Sequence, residues 1–106
     1  MIIQINTDKN ISGKENTVAY FTQLVEDVLD RYSQHISRVE IHLSDENANK
    51  EGKDDKRCVL EVRIEGKQSI AVTSNANTIE DAISESIQKV SALLNTIMDQ
   101  MKSHRN

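Results

Sequence analysis

The chain of 106 residues has a single cysteine, Cys58, and neither proline nor tryptophan. One thiol excludes an internal disulfide and a cysteine-based metal cluster, and it fits a reducing, cytoplasmic compartment. Only three aromatic residues are present, Tyr20, Phe21 and Tyr32, too few for a stacking platform on single-stranded nucleic acid. The three glycines, Gly13, Gly52 and Gly66, are too scattered for a loop that cradles phosphate. No apolar run approaches the ~20 residues of a membrane helix, and the opening residues carry no signal-peptide core, so no membrane partner is expected. Basic charge is scarce as well. Against 17 acids stand 13 lysines and arginines, a net charge of −4 that disfavours generic attraction to nucleic acid or an anionic bilayer.

What is present suits a folded domain. Hydrophobic residues make up 37% and charged residues 28% of the chain. A chain of this length buries roughly two-thirds of its unfolded surface, enough for one core. A single α/β domain over 1–106 is expected, without linker, repeat or low-complexity tail.

Residues 1–6 read as a short strand with Ile3 and Ile5 on one face. Ser12 with Glu15 has the form of a capping box, so a helix starts near Gly13. Val18, Phe21, Val25, Val28, Leu29 and Tyr32 then recur at helical spacing as one apolar stripe, and the helix fades over 32–34. Alternation takes over in 38–44, with Val39, Ile41 and Leu43 inward. The polar segment 45–56 reads as a surface loop. Residues 57–65 alternate again, with Cys58, Leu60, Val62 and Ile64 inward. Gly66-Lys67 fits a two-residue hairpin turn, leading to a strand over 68–74 with Ile70 and Val72 inward. Asn77 with Glu80 offers a helix start. Ile79, Ile83, Ile87, Val90, Leu94, Ile97, Met98 and Met101 form a stripe over a helix of some 25 residues, roughly 37 Å long. The order β-α-β-β-β-α predicts an α+β fold: a four-stranded mixed sheet with two helices packed on one face.

Chemistry is sparse. His35, His42 and His104 lack metal-site spacing, and Glu40 with His42 on an outward strand face reads as a solvated pair. Cys58 falls in the inward set, with no histidine or helix N-terminus placed to activate it. No nucleophile, metal or cofactor constellation emerges, and no enzyme is expected. The segment holding Lys50, Lys53, Lys56 and Arg57 is interrupted by Glu51, Asp54 and Asp55, a nearly charge-balanced loop more than a phosphate-touching finger. Met98 and Met101 at the overhanging helix end read as core, or more sharply as a partner surface.

The chain resembles the ribosome hibernation-promoting factor family, also called ribosome-associated inhibitor or sigma-factor modulation proteins. The resemblance rests on Ile36-Ser37-Arg38-Val39-Glu40-Ile41-His42-Leu43 after the first helix and on the paired segments starting at Cys58 and Ser69. The opening of the last helix, from Thr78 to Val90, matches as well. It implies a non-enzymatic, cytoplasmic domain that binds the small ribosomal subunit where messenger and transfer RNA sit, silencing it by steric occupancy. It also implies a short member, without the C-terminal dimerisation domain of longer ones. The family presents basic helix faces, and Lys89 and Lys102 match basic positions of the last helix. With Arg105 they are the candidate rRNA contacts.

Elsewhere the chain departs from that pattern. Ala92, Thr96 and Met98 stand where the family carries further bases, Glu80 replaces an aromatic residue, and Glu26, Asp27 and Asp30 replace lysines. Lys14 and Arg31 are left as the bases of the first helix. Losing phosphate contacts removes part of the counterion-release term, so rRNA affinity is expected to be weaker and to fail at lower salt. A negative surface could instead meet a basic ribosomal protein or another basic protein. The competing reading is a protein-interaction module of the same fold that has lost RNA binding and uses an exposed sheet face or the overhanging final helix, as a homodimer through Met98 and Met101.

Overall fold

The computed structural model describes residues 1–8, 14–45 and 55–103, with side chains in 1–8, 17–45 and 55–102. The capping box at Ser12, most of the loop after Asp45, and Arg105 lie outside the described residues.

Strands β1 (Ile2–Thr7), β2 (Ile36–Asp45), β3 (Lys56–Ile64) and β4 (Ile70–Ala76) form one sheet in the order β1-β2-β3-β4. Helix α1 (Lys14–Leu29) with a 3-10 turn at Asp30–Tyr32 links β1 to β2, and α2 (Ile79–Ser103) follows β4. The order and the mixed sheet are those the periodicity predicts. β1 and β2 pair in parallel, whereas β2-β3 and β3-β4 are antiparallel.

Alternation dictates the register. Val39 pairs with Val62, Ile41 with Leu60 and Leu43 with Cys58, so six inward side chains meet the helices. All six are buried, together with Val25 and Leu29 of α1 and Ile83, Val90 and Leu94 of α2 in one continuous core. α1 lies against β1, and α2 covers β3 and β4. That core is the dominant stabilising feature, because buried aliphatic side chains each contribute a few kcal/mol.

Three local expectations are corrected. The β3-β4 connection is not a Gly66-Lys67 turn: the Lys67 N–H donates to Ile64 O at 3.1 Å, making Glu65 and Gly66 the central residues. Gly66 takes a φ of +73°, the left-handed value that suits glycine. The reason lies in the core. A two-residue hairpin at Gly66-Lys67 would set Leu60 opposite Thr73 and mix the faces, whereas the longer connection over 65–69 sets Leu60 opposite Val72 and keeps both inward.

The cap of α2 is Thr78, not Asn77. Thr78 Oγ1 accepts from the Asp81 N–H at 3.1 Å, which satisfies an orphan donor of the first turn. Val28, expected in the α1 stripe, is 36% exposed, while Leu24 packs partly against the core. The stripe narrows to Phe21, Val25, Leu29 and Tyr32, because α1 and α2 touch little along their lengths and leave Val28 facing a groove between them.

Candidate functional site

The helices run side by side in the same direction, since Leu24 and Val28 line a groove with Ile87 and Ala92 while Tyr32 reaches Asn95 further along both. The Tyr32 hydroxyl donates to Asn95 Oδ1 and ties the end of α1 to the last third of α2. Above that bond opens a cleft of about 260 Å³, lined by Arg31, His35, Met98, Asp99, Met101 and Lys102 among others. The Arg31 guanidinium sits 5.0 Å from the Tyr32 ring centroid, a cation–π contact that fixes it at the cleft mouth. Lys102 is exposed on the opposite wall. Two cations from positions 71 residues apart therefore share one opening, with His35 beside them.

Lys89 lies elsewhere. It is exposed on the β4 side of α2, and its Nζ donates to the Thr73 carbonyl at 2.7 Å. An ammonium has three donors, so this bond places the charge and leaves donors for an anion. Of the three candidate contacts, the fold sets Lys89 on one flank of α2 and Lys102 at its end, and does not bring them together. Arg105 lies outside the described residues. Arg31 is the member of the cleft that the sequence underweighted; only the parallel helix register brings it to Lys102.

From Thr17 to Lys102 the helical layer holds Glu26, Asp27, Asp30, Glu80, Asp81, Glu85 and Asp99 against Arg31, Lys89 and Lys102. This outer layer is acidic. The open face of the sheet balances its charges pairwise. Arg38 Nε donates to Glu40 at 2.9 Å and its second guanidinium nitrogen to Gln4, and Arg63 lies 3.8 Å from Glu61. Arg38 and Arg63 are cross-strand partners, as are Glu40 and Glu61. The Arg38 hydrogen bond, with the charges of Arg38, Arg63 and His42, holds the Glu40 carboxyl below its ordinary range against a smaller opposing effect of burial.

Glu40 is therefore committed to Arg38, and His42 faces Asn6 and Val59 across the strands. Among the described residues no group of three His, Cys, Asp or Glu side chains could hold a metal ion. Cys58 is fully buried. Burial pushes its thiol up, and the adjacent Ser86 hydroxyl offsets part of that rise without a well-formed hydrogen bond. A raised thiol without a base is a poor nucleophile. Of the basic loop segment, Lys56 is spent on Asp55 at 3.0 Å and Asp45 at 3.2 Å, closing the base of the loop, while Lys50 and Lys53 lie outside the described residues.

No helix among the described residues is long and apolar enough to cross a membrane.

The family model described as Sigma 54 modulation protein / S30EA ribosomal protein matches residues 4–102. A ribosomal subunit interface protein from Coxiella burnetii shares the fold with a TM-score of 0.67 at 18% identity, over 93% of this chain and 99% of that one. The N-terminal domain of Protein Y from Thermus thermophilus does so with a TM-score of 0.68 at 17% identity, over 92% and 99% of the two chains. No curated protein matches the chain.

Proposed function

The chain belongs to the family of sigma 54 modulation proteins and S30EA ribosomal proteins, and from that premise we propose that it is a ribosome-associated, hibernation-type protein that silences the small subunit by occupying it. The family acts by binding rather than by catalysis, and the chain is not an enzyme. The observation that carries the reading is the family match, which runs from within β1 to the last turn of α2. The ribosomal subunit interface protein with the same fold supports it. The working compartment is then the cytoplasm, where ribosomes are.

The phosphate contacts are Arg31 and Lys102 at the cleft, Lys89 on the flank of α2, and Arg105 beyond the described residues. Few in number and set in an acidic layer, they give a shallow counterion-release term, so binding depends on low or moderate salt. Steric occupancy needs no residue to move a proton. It needs a rigid body, and the continuous core between sheet and helices supports that reading. The test is exclusion: small subunits with bound messenger and transfer RNA should refuse the protein, and empty subunits should take it. Equal uptake by both would defeat the occupancy mechanism.

A homodimer through the end of α2 is the second reading, favoured by Met98 and Met101 being only half-buried in the cleft. Light scattering decides it. A monomer at all concentrations removes the dimer, and a dimer lost in Met101→Glu supports it.

A further inference from the structure

Between α1 and α2 runs an open groove of about 500 Å³, separate from the Lys89 flank and joined to the basic cleft only at Asn95. Leu24 and Val28 line one side, Ile87 and Ala92 the other, with the polar Ser84, Ser91, Gln88 and Asn95 among them. Its borders are acidic. Asp81, Glu85, Gln88 and Ala92 follow one another at spacings of four, three and four, so Asp81 and Glu85 stand in the same helix stripe as two residues of the groove wall. On α1, Asp27 follows Leu24 by three residues and borders the facing wall. All three acids are exposed.

We infer that this groove docks a lysine- and arginine-rich polypeptide segment that inserts an apolar side chain between Val28 and Ala92. An apolar floor alone would accept any hydrophobic partner. The carboxylates bordering both walls select against acidic segments and against RNA, whose phosphates would pass beside Asp27, Asp81 and Glu85. A basic segment meets complementary charge on both sides while its anchor removes exposed apolar surface from water. The inference deepens the ribosome-associated reading by giving the chemistry of a protein contact beside the RNA contacts of Lys89 and Lys102.

The test uses the full chain with a fluorescent synthetic peptide that carries lysines and arginines around a leucine pair at helical spacing. A glutamate-for-lysine version and an oligouridine RNA serve as comparisons. The expected result is saturable binding of the basic peptide, with amide chemical shifts moving at Leu24, Val28, Ile87 and Ala92. Reversing two border charges (D27K with E85K) is expected to weaken binding by about tenfold or more. Val28→Glu should also abolish anchoring, and the exposure of all three positions keeps these variants folded by circular dichroism.

Absence of saturable binding, shifts confined to other surfaces, equal binding by the acidic peptide, or displacement by the RNA would each overturn the inference. The assay contains no ribosomes. Peptide binding with failed ribosome sedimentation therefore defeats only the functional reading, and the reverse result defeats only the groove.

Discussion

The Lys89 ammonium donates to the Thr73 carbonyl at 2.7 Å, joining the middle of α2 to the backbone of the edge strand β4. A lysine here does two jobs. It covers a carbonyl on a sheet edge, which hinders edge-to-edge pairing with another chain, and it holds a positive charge on a helical layer in which acids outnumber bases.

Those two jobs separate by mutation. Lys89→Met keeps the alkyl stem and removes the charge and the hydrogen bond, at an expected cost of about 0.5–1.5 kcal/mol in unfolding free energy. Ribosome binding of Lys89→Met should weaken, with its salt dependence reduced by about 0.7–0.9 in logarithmic slope. Adding Lys102→Met should lower the slope by a similar step. An unchanged slope in the double variant would remove both residues from the RNA contact.

Tyr32→Phe deletes the donor to Asn95 while leaving the buried ring in place, and an expected loss of about 0.5–1.5 kcal/mol follows in urea unfolding. Leu94→Ala, next to Asn95 in the chain and fully buried, is expected to cost about 2–5 kcal/mol through the cavity it leaves. The contrast checks that packing, more than the interhelical bond, holds α2 on the sheet. A larger loss in Tyr32→Phe than in Leu94→Ala would contradict that order.

Glu40 gives the fold an acid-sensitive contact. Its folded carboxyl titrates below the ordinary value of 4.5, chiefly through the Arg38 hydrogen bond. A lowered pKa contributes stability that is fully present above the unfolded value and is lost as pH falls through the folded one. Glu40→Gln should therefore be less stable than wild type at neutral pH, with the difference closing as the solution is acidified below 4.5. Unfolding midpoints of both proteins across that range check it, and a difference that widens in acid would refute the assignment.

Gly66 has open space around the position of a side chain but a φ of +73°. Gly66→Ala should accordingly cost about 1–2 kcal/mol through backbone strain alone, with no steric clash. Thermal unfolding reads it. Gly66→Asn should recover part of the loss, because asparagine tolerates the left-handed region better than alanine.

Much of the fold is legible in the sequence because burial writes a period into it. Val39, Ile41 and Leu43, then Cys58, Leu60, Val62 and Ile64, alternate without a break, and the α2 stripe continues from Ile79 to Met101. What misled was chemistry shared by neighbours. Asn77 and Thr78 can both cap a helix, and only the position of the Asp81 N–H decides for Thr78. Gly66 signals a turn but not which central position it fills; the Lys67 N–H bond to the Ile64 carbonyl settles that.

The site was less legible for a different reason. Arg31 and Lys102 are brought to one cleft by the parallel register of two helices, a long-range relation that no local spacing records. The same holds for Val28, whose spacing belongs to the core stripe and whose exposure follows from how far apart the helices lie. Resemblance singles out Lys89 and Lys102 together, and the fold separates them.

The most direct measurement is sedimentation of the purified protein with separated small and large ribosomal subunits at low and at near-physiological salt. The protein is expected to travel with the small subunit at low salt and to dissociate progressively as salt rises, earlier in the Lys89→Met, Lys102→Met double variant. Failure to sediment with the small subunit even at low salt would contradict it.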